Sequence, residues 1–170
     1  MLYAIRKDKE YKKIVKNIFR NVEFKKLYNI EHHGISRMEH SIKISYYSYK
    51  IAKKLGMDYV SVARGGLLHD FYLDGDERNC RRKFFDTFTH PEKAFNTTSS
   101  IFDINDIEKN IIVSHMFPFY VKFPKYKESI LVNLVDKIIG GMELLRGFGC
   151  KFTYKFNYTY VFMLLLISRW

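Results

Sequence analysis

Histidine and aspartate residues recur along this chain at regular intervals, and this spacing is the feature that most constrains its fold. The series consists of His40, the doublet His69-Asp70, His90, His115 and Asp136. Successive members are separated by 20 to 29 residues, which is the length of one helix plus one connection. An antiparallel helical bundle would return every member to the same depth of its core. The spacing therefore predicts an all-α bundle with a polar cluster inside it.

Apolar periodicity predicts helices around these positions. The predicted helices cover residues 8–28, 37–55, 58–68, 105–116 and 128–145, and another begins at His90-Pro91-Glu92. Asp58 is a suitable N-cap, and Gly56 follows the second helix where a C-terminal cap is expected. Gly65 and Gly66 lie one turn before His69, where they leave room for a neighbouring helix or a ligand. Residues 71–89 lack the pattern and predict a long polar loop, with a short helical piece near Arg81 as an alternative.

The length of 170 residues and the 47% apolar content are typical of one compact domain. We expect one domain over residues 1–150 and an aromatic tail over 151–170. In the tail, alternating aromatic residues precede a short apolar run, which favours packing on the bundle or on a second subunit of a homo-oligomer. Neither a signal peptide nor an apolar run of roughly 20 residues is visible, so we expect a soluble cytoplasmic protein without a membrane span.

The net charge and the cysteine content limit the kinds of partner and metal site that the sequence predicts. The formal charge of +11 favours anionic partners, but Lys and Arg are spread along the whole chain. Solvated surface charge is the default interpretation, a phosphate-bearing substrate is the second, and a nucleic-acid groove is a weaker third. Cys80 and Cys150 lie far apart without a CxxC partner, so we expect reduced thiols and not a disulfide or a cysteine zinc site.

A metal site is the best explanation for the polar series. A single histidine on an apolar helix face is more often a hydrogen-bonded core residue than a ligand. Six buried ionisable groups together would be costly to desolvate unless a cation paired with them. His32 and His33 precede the first helix of the series in a polar connection, and we expect them at the surface. The sequence therefore predicts six metal ligands among the histidines and aspartates.

The ordered set resembles a known family. His40 in Arg-Met-Glu-His-Ser, His69-Asp70 after Gly-Leu-Leu, and Asp136 in Val-Asp-Lys resemble the H…HD…D signature of HD-domain metal-dependent phosphohydrolases. With His90 and His115 added, the series is similar to the H-HD-H-H-D pattern of members that hold two metals. The likeness covers about residues 30–145.

The chain also departs from one branch of that family. Phe71 and Tyr72 follow the doublet, and the HDxGK and GYP elements of cyclic di-GMP phosphodiesterases are absent from the sequence. The six-ligand pattern and the short chain look closer to the stand-alone branch that includes diadenosine tetraphosphate hydrolases. Asymmetric cleavage of a dinucleoside polyphosphate is therefore one candidate reaction.

The resemblance implies specific roles. His40, His69, Asp70 and Asp136 would bind a first metal, and Asp70 would bridge to a second metal held by His90 and His115. A hydroxide held between the two cations would be the nucleophile. Four imidazoles favour iron, manganese, cobalt, nickel or zinc over magnesium, which prefers oxygen ligands.

Further residues are candidates for binding a small phosphate-bearing substrate, expected to be a nucleotide. Arg37 lies three residues before His40 and could clamp a phosphate during catalysis, although a surface arginine fits the sequence equally well. Lys125, Tyr126 and Lys127 could line the mouth of the site or form a solvated turn. Lys137 is expected behind a ligand or at the surface.

Two functions are consistent with these features. The first is a metal-dependent phosphohydrolase acting on a phosphoester or phosphoanhydride, with Asp70 and Arg37 as its catalytic residues. The alternative is a non-catalytic HD module that binds metal or nucleotide. A complete ligand set favours the enzyme, because a structural metal site needs four ligands and no open position.

Overall fold

A computed structural model describes residues 5, 7–32, 35–73 and 80–147 of the chain. The predicted tail over 151–170, together with His33 and Cys150, lies outside the described residues. The side chains of His32, Cys80 and Arg81 lie outside them as well.

The described residues form an almost entirely helical structure, which confirms the all-α prediction. The elements are α1 (Lys9–Arg20), α2 (Val22–Lys25), a 3-10 helix (Lys26–Asn29), β1 (Glu31–His32), β2 (Ile35–Ser36), α3 (Arg37–Lys54), α4 (Tyr59–Leu68), α5 (Cys80–Ser99), α6 (Asp106–Ser114) and α7 (Lys127–Gly147). The two short strands pair antiparallel, with Glu31 opposite Ser36. They lead the chain into α3.

Capping residues explain where several helices begin. Ser36, Asp58 and Asn105 each accept a hydrogen bond from the backbone N–H three residues further on. Asn105 also forms a capping box, because the side chain of Glu108 accepts from its backbone N–H. At the end of α3, Gly56 adopts a φ of 64°, a left-handed conformation that glycine tolerates. The predicted N-cap at Asp58 is therefore confirmed.

Two sequence-based predictions of helix boundaries are wrong. The predicted helix over residues 8–28 is interrupted at Asn21, whose extended backbone ends α1 and whose side chain caps α2. The predicted loop over 71–89 contains the start of α5, which begins at Cys80, ten residues earlier than expected. The alternative of helix near Arg81 agrees with the structure, but this helix is long and continuous with the one expected from His90. Pro91 accordingly lies inside that helix and not in its first turn. A proline is favoured in a first turn but can also occur in a continuing helix at the loss of one backbone hydrogen bond.

The hydrophobic core has two parts on either side of α3 and α4. One part joins α1 to these helices and includes the buried side chains of Tyr11, Ile18 and Leu67. The other part lies between α3, α4, α6 and α7 and includes Ile44 and Ile111. Burial of these side chains is the main favourable contribution to folding. The packing fixes the ends of α4 and α6 relative to α3 and α7.

Two adjacent glycines allow α4 to approach its neighbours closely. A Cβ added at Gly66 would lie 3.1 Å from the Cα of Ser45 in α3. A Cβ added at Gly65 would lie 2.8 Å from the Cδ1 of Ile111 in α6. The sequence left open whether these glycines make room for a neighbouring helix or for a ligand. In the structure they make room for neighbouring helices. Within the described part of the chain, none of the helices is both long and apolar enough to cross a bilayer.

Candidate metal centre

The structure brings the six predicted ligands together in one buried centre. His40 lies in the first turns of α3, His69 and Asp70 follow α4, His90 lies within α5, His115 follows α6, and Asp136 lies within α7. All six are buried. The helices thus deliver side chains that are nearly a hundred residues apart in sequence to one place.

Three residues form what we call the first cluster: His40, His69 and Asp136. The Nε2 atom of His40 lies 3.2 Å from Oδ1 of Asp136, and the Nε2 atom of His69 lies 3.8 Å from the same oxygen. One potential ligand atom from each of the three residues lies within 4.8 Å of the other two. This separation is suitable for one ion coordinated by all three.

Three further residues form the second cluster: Asp70, His90 and His115. Oδ1 of Asp70 lies 3.3 Å from Nε2 of His90 and 3.4 Å from Nε2 of His115. The two Nε2 atoms are only 2.8 Å apart. Two imidazole nitrogens at this distance require a proton on one of them or a cation close to both.

Asp70, a member of the second cluster, also faces the first cluster. Its Oδ1 faces His90 and His115, whereas its Oδ2 lies 3.8 Å from Nε2 of His69. His69, Asp70 and His115 also form a group whose potential ligand atoms lie within 4.8 Å of one another. A carboxylate with one oxygen directed to His90 and His115 and the other to His69 of the first cluster has the geometry of a bridging ligand.

Hydrogen bonds fix which imidazole nitrogen faces the centre. The Nδ1 atom of His69 donates to the carbonyl of Gly66 at 2.8 Å, and Nδ1 of His115 donates to the carbonyl of Ile112 at 2.7 Å. A neutral imidazole that donates from Nδ1 carries its lone pair on Nε2. The Nε2 atom of His69 is buried, and no described residue offers it a hydrogen-bond partner. A cation would satisfy this nitrogen.

The two imidazoles of the first cluster have opposite electrostatics. Burial lowers the pKa of His69 to about 4, so this ring is neutral near pH 7. Burial also opposes charge on His40, but hydrogen bonds to Asp136 and Glu143 outweigh it and raise the pKa to about 10. Without a metal, His40 is therefore protonated and its Nε2–H donates to Asp136. A metal ion would replace that proton.

The carboxylates remain ionised despite their burial. Burial alone would raise the pKa of Asp70, but the nearby histidines, led by His69, hold it well below its usual range. Burial acts in the same way on Asp136, and the hydrogen bond from His40 together with His69 and Lys137 lowers its pKa. Four imidazoles and two ionised carboxylates fit a transition metal better than magnesium.

Arg37 is connected to the second cluster by Tyr72, which contacts both Arg37 and His90. The arginine side chain is buried and donates from Nη1 to the carbonyl of Tyr72 at 2.9 Å. Its guanidinium carbon lies 4.0 Å from the centre of the Tyr72 ring. That ring stacks on His90 with a centroid distance of 5.5 Å and an interplanar angle of 20°. The alternative of a surface arginine is thus wrong.

The other predicted substrate residues lie away from the centre. Lys125, Tyr126 and Lys127 are exposed at the start of α7. There Glu128 accepts a hydrogen bond from the backbone of Asp58, at the beginning of α4, whereas His69 follows the end of that helix. Nine residues of helix separate Lys127 from Asp136, which is roughly 13 Å along the axis. The structure does not bring these three residues to the clusters.

Sequence reasoning missed one carboxylate, Glu143, and one neighbour of the ligands, Tyr72, and it left Lys137 either behind a ligand or at the surface. Glu143 is buried and accepts a hydrogen bond from Nδ1 of His40 at 2.7 Å. The ammonium of Lys137 donates to the carbonyl of His115 at 2.6 Å and to Oδ2 of Asp136 at 3.2 Å. Tyr72 stacks on His90, as described above. For Glu143 a signal existed, because it follows Asp136 by seven residues and so shares its helix face.

Comparisons with known proteins give no family assignment, since the chain matches no family model, no curated protein and no solved structure. The fold and the site define an all-α protein with buried histidine and aspartate groups that could hold a metal ion. The resemblance to HD-domain phosphohydrolases stays a prediction from the motif.

Proposed function

We propose that this chain is a metal-dependent phosphohydrolase of the HD superfamily, acting on a phosphoester or phosphoanhydride of a nucleotide-like substrate. The observation that carries the proposal is the position of Asp70, whose Oδ1 faces His90 and His115 while its Oδ2 faces His69 of the first cluster. A single structural metal would need only one such group. Two adjacent groups sharing a carboxylate are typical of two-metal hydrolytic centres.

The ligand assignment follows the two clusters. His40, His69, Asp70 and Asp136 would hold one divalent transition-metal ion, and Asp70, His90 and His115 would hold the other. Such ions would supply Lewis-acid activation of water and neutralisation of charge on the phosphate oxygens. The chain itself contributes imidazoles whose Nδ1 atoms are already engaged by carbonyls or a carboxylate, so that Nε2 is directed at the centre.

Substrate binding is assigned to the cationic side chains next to the ligands. Arg37 packs on Tyr72, the residue that stacks on His90, and we assign it the role of a phosphate clamp. Lys137 lies against Asp136 and retains partial exposure to solvent. The overall charge of +11 supports an anionic substrate as well. A nucleotide fits these features, and a nucleic-acid groove has less support because the charge is spread over the chain.

The test is a hydrolysis screen of the protein after removal of metal and reconstitution with manganese, iron or cobalt. Substrates should include p-nitrophenyl phosphate, bis-p-nitrophenyl phosphate, nucleoside phosphates and dinucleoside polyphosphates. We expect turnover that requires added metal and is lost on chelation. Lys127→Ala is a matched control, because it removes an exposed cation far from the clusters.

The outcome also separates the enzyme from the alternative of a binding module. Metal bound at both clusters without turnover of any substrate class would contradict the phosphohydrolase and favour a module that binds metal or nucleotide. One ion per chain would favour a mononuclear centre and a different substrate class. Elemental analysis of the same samples distinguishes these results.

A further inference from the structure

One buried carboxylate near the centre belongs to neither cluster. Glu143 accepts a hydrogen bond from Nδ1 of His40 at 2.7 Å, with both side chains buried. The other imidazole nitrogen of His40 faces Asp136 at 3.2 Å. One helix, α7, therefore supplies the partners of both nitrogens of a ring that belongs to α3.

The sequence of α7 explains how one helix reaches both nitrogens. Asp136, Gly140 and Glu143 are spaced by four and three residues, so they lie in line on one face of the helix. A Cβ added at Gly140 would lie 4.0 Å from Cε1 of His40, the ring atom between the two nitrogens. The ring thus lies over Gly140, with one carboxylate on either side.

A lysine holds Glu143 in turn. The ammonium of Lys43 lies 3.0 Å from Oε1 of Glu143, while His40 donates to Oε2 of the same carboxylate. Lys43 also lies 3.0 Å from Glu39, one helical turn earlier. Each oxygen of Glu143 therefore has its own donor, and the carboxylate is fixed in rotation. Such a contact restricts the plane of the imidazole as well as its position.

We propose that Glu143 is a positioning residue for His40 and that Lys43 holds Glu143 in place. By accepting from Nδ1, Glu143 fixes the tautomer in which Nε2 is the ligand nitrogen, and it makes the ring more basic toward a cation. The inference rests on the proposed function in one respect, namely that His40 binds a metal. It adds a carboxylate to the site that the H-HD-H-H-D pattern of the sequence does not contain.

The test uses Co²⁺ alone as the probe, because its visible absorption reports the ligands directly. Metal-free protein is titrated with Co²⁺, and the affinity of each equivalent is compared between wild type, Glu143→Ala and Glu143→Gln. Loss of a hydrogen-bond partner behind a metal-bound histidine typically weakens metal binding about 10- to 100-fold. We expect this loss for Glu143→Ala in one equivalent, with a changed absorption spectrum.

The glutamine variant and two controls separate positioning from folding. Glu143→Gln retains an oxygen that can accept from Nδ1, so it should recover part of the affinity and the wild-type spectrum. Glu39→Gln removes the other carboxylate beside Lys43 and should leave Co²⁺ binding unchanged. Thermal unfolding of each metal-free variant shows whether it is folded. Lys43→Met keeps the carboxylate and should weaken the same equivalent to a smaller extent.

The results distinguish the two proposals. Wild-type affinity and spectrum in both folded Glu143 variants would overturn the positioning role and leave the phosphohydrolase intact. Weakened Co²⁺ binding in Glu143→Ala, in a protein that hydrolyses no phosphate compound, would support positioning while the proposed function fails. A wild-type protein that binds no Co²⁺ would overturn both.

Discussion

The two clusters differ in how their histidines are held, although Asp70 of the second cluster faces both. In the first cluster, His40 and His69 donate from Nδ1 to a carboxylate and to a helix carbonyl. In the second cluster, His115 likewise donates from Nδ1 to a helix carbonyl, whereas His90 stacks on Tyr72, whose ring packs against the guanidinium of Arg37. The His90 side chain is also more exposed than that of His40, at 10% against 2%.

This difference predicts different roles for the two clusters. The Glu143 carboxylate behind His40 fixes the rotation of that ring and makes it more basic, which favours tight metal binding at the first cluster. The second cluster contains the more exposed ring, His90, and Arg37 packs against the Tyr72 ring that stacks on it, so this cluster is better suited to meet a phosphate. We therefore expect the first cluster to bind metal more tightly and the second cluster to face the substrate.

Removing the shared carboxylate should have the largest effect. Asp70→Ala is expected to lose metal from both clusters, because two cations without the bridging charge repel each other at short range. Hydrolysis should fall by at least about 1,000-fold, since several kcal/mol of stabilisation of the transition state are lost. Elemental analysis and a hydrolysis assay measure both effects. Asp103→Ala is the control, as it removes an exposed aspartate. Retention of both ions in Asp70→Ala would rule out the bridging role.

His90→Ala should act on the second cluster alone. We expect about half of the metal to remain, because the first ion keeps its ligands, while hydrolysis falls by about 100-fold or more. The metal content of His90→Ala is compared with that of Asp70→Ala by the same elemental analysis. Equal loss of metal in the two variants would contradict the division into clusters. Unchanged hydrolysis in His90→Ala would remove that residue from the site.

Much of this centre could be predicted from the sequence because its ligands sit on regularly spaced helices. Helical periodicity and intervals of 20 to 29 residues were sufficient to select His40, His115 and Asp136 as partners. Glu143 was missed because its role depends on how α7 packs against α3, and a glutamate near a helix end is usually solvated. Pairing between helices is a property of the whole core, which local patterns do not contain.

The misplaced start of α5 has a local cause. His90-Pro91-Glu92 has the residues of a first helical turn, and that preference predicted the boundary. In the structure the helix already begins at Cys80 and continues through Pro91. The boundary therefore does not follow the preference of this triplet for a first helical turn, since propensity is only a weak determinant of helix position. The prediction that His90 lies close to His115 is unaffected by this error, because it depends on the spacing of the two residues and not on the helix boundary.

Metal binding should depend on pH through His40. In the metal-free protein the pKa of His40 is raised to about 10, so its ion pairing stabilises the fold fully below pH 6.5 and is lost as the pH rises through about 10. A metal must displace that proton, and its affinity should therefore increase about tenfold per pH unit between pH 7 and 9. A histidine with an ordinary pKa would give no such increase above pH 7.5. Titrations with Zn²⁺ at several pH values measure the slope, and a flat profile would contradict the assignment.

The smallest effect is expected where the sequence suggested a substrate contact and the structure places none. Lys125→Ala and Lys127→Ala remove exposed cations just before and at the first residue of α7, and Lys127 lies roughly 13 Å along the helix axis from Asp136. Surface charges at this distance are largely screened at physiological salt, where the Debye length is about 8 Å. We expect kcat/KM to change by less than about twofold.

Arg37→Ala, beside the second cluster, should lower kcat/KM at least about tenfold with the metal of the first cluster retained. Equal losses of kcat/KM in the lysine and arginine variants would contradict a specific role of Arg37. They would show that the net positive charge of the protein attracts the phosphate.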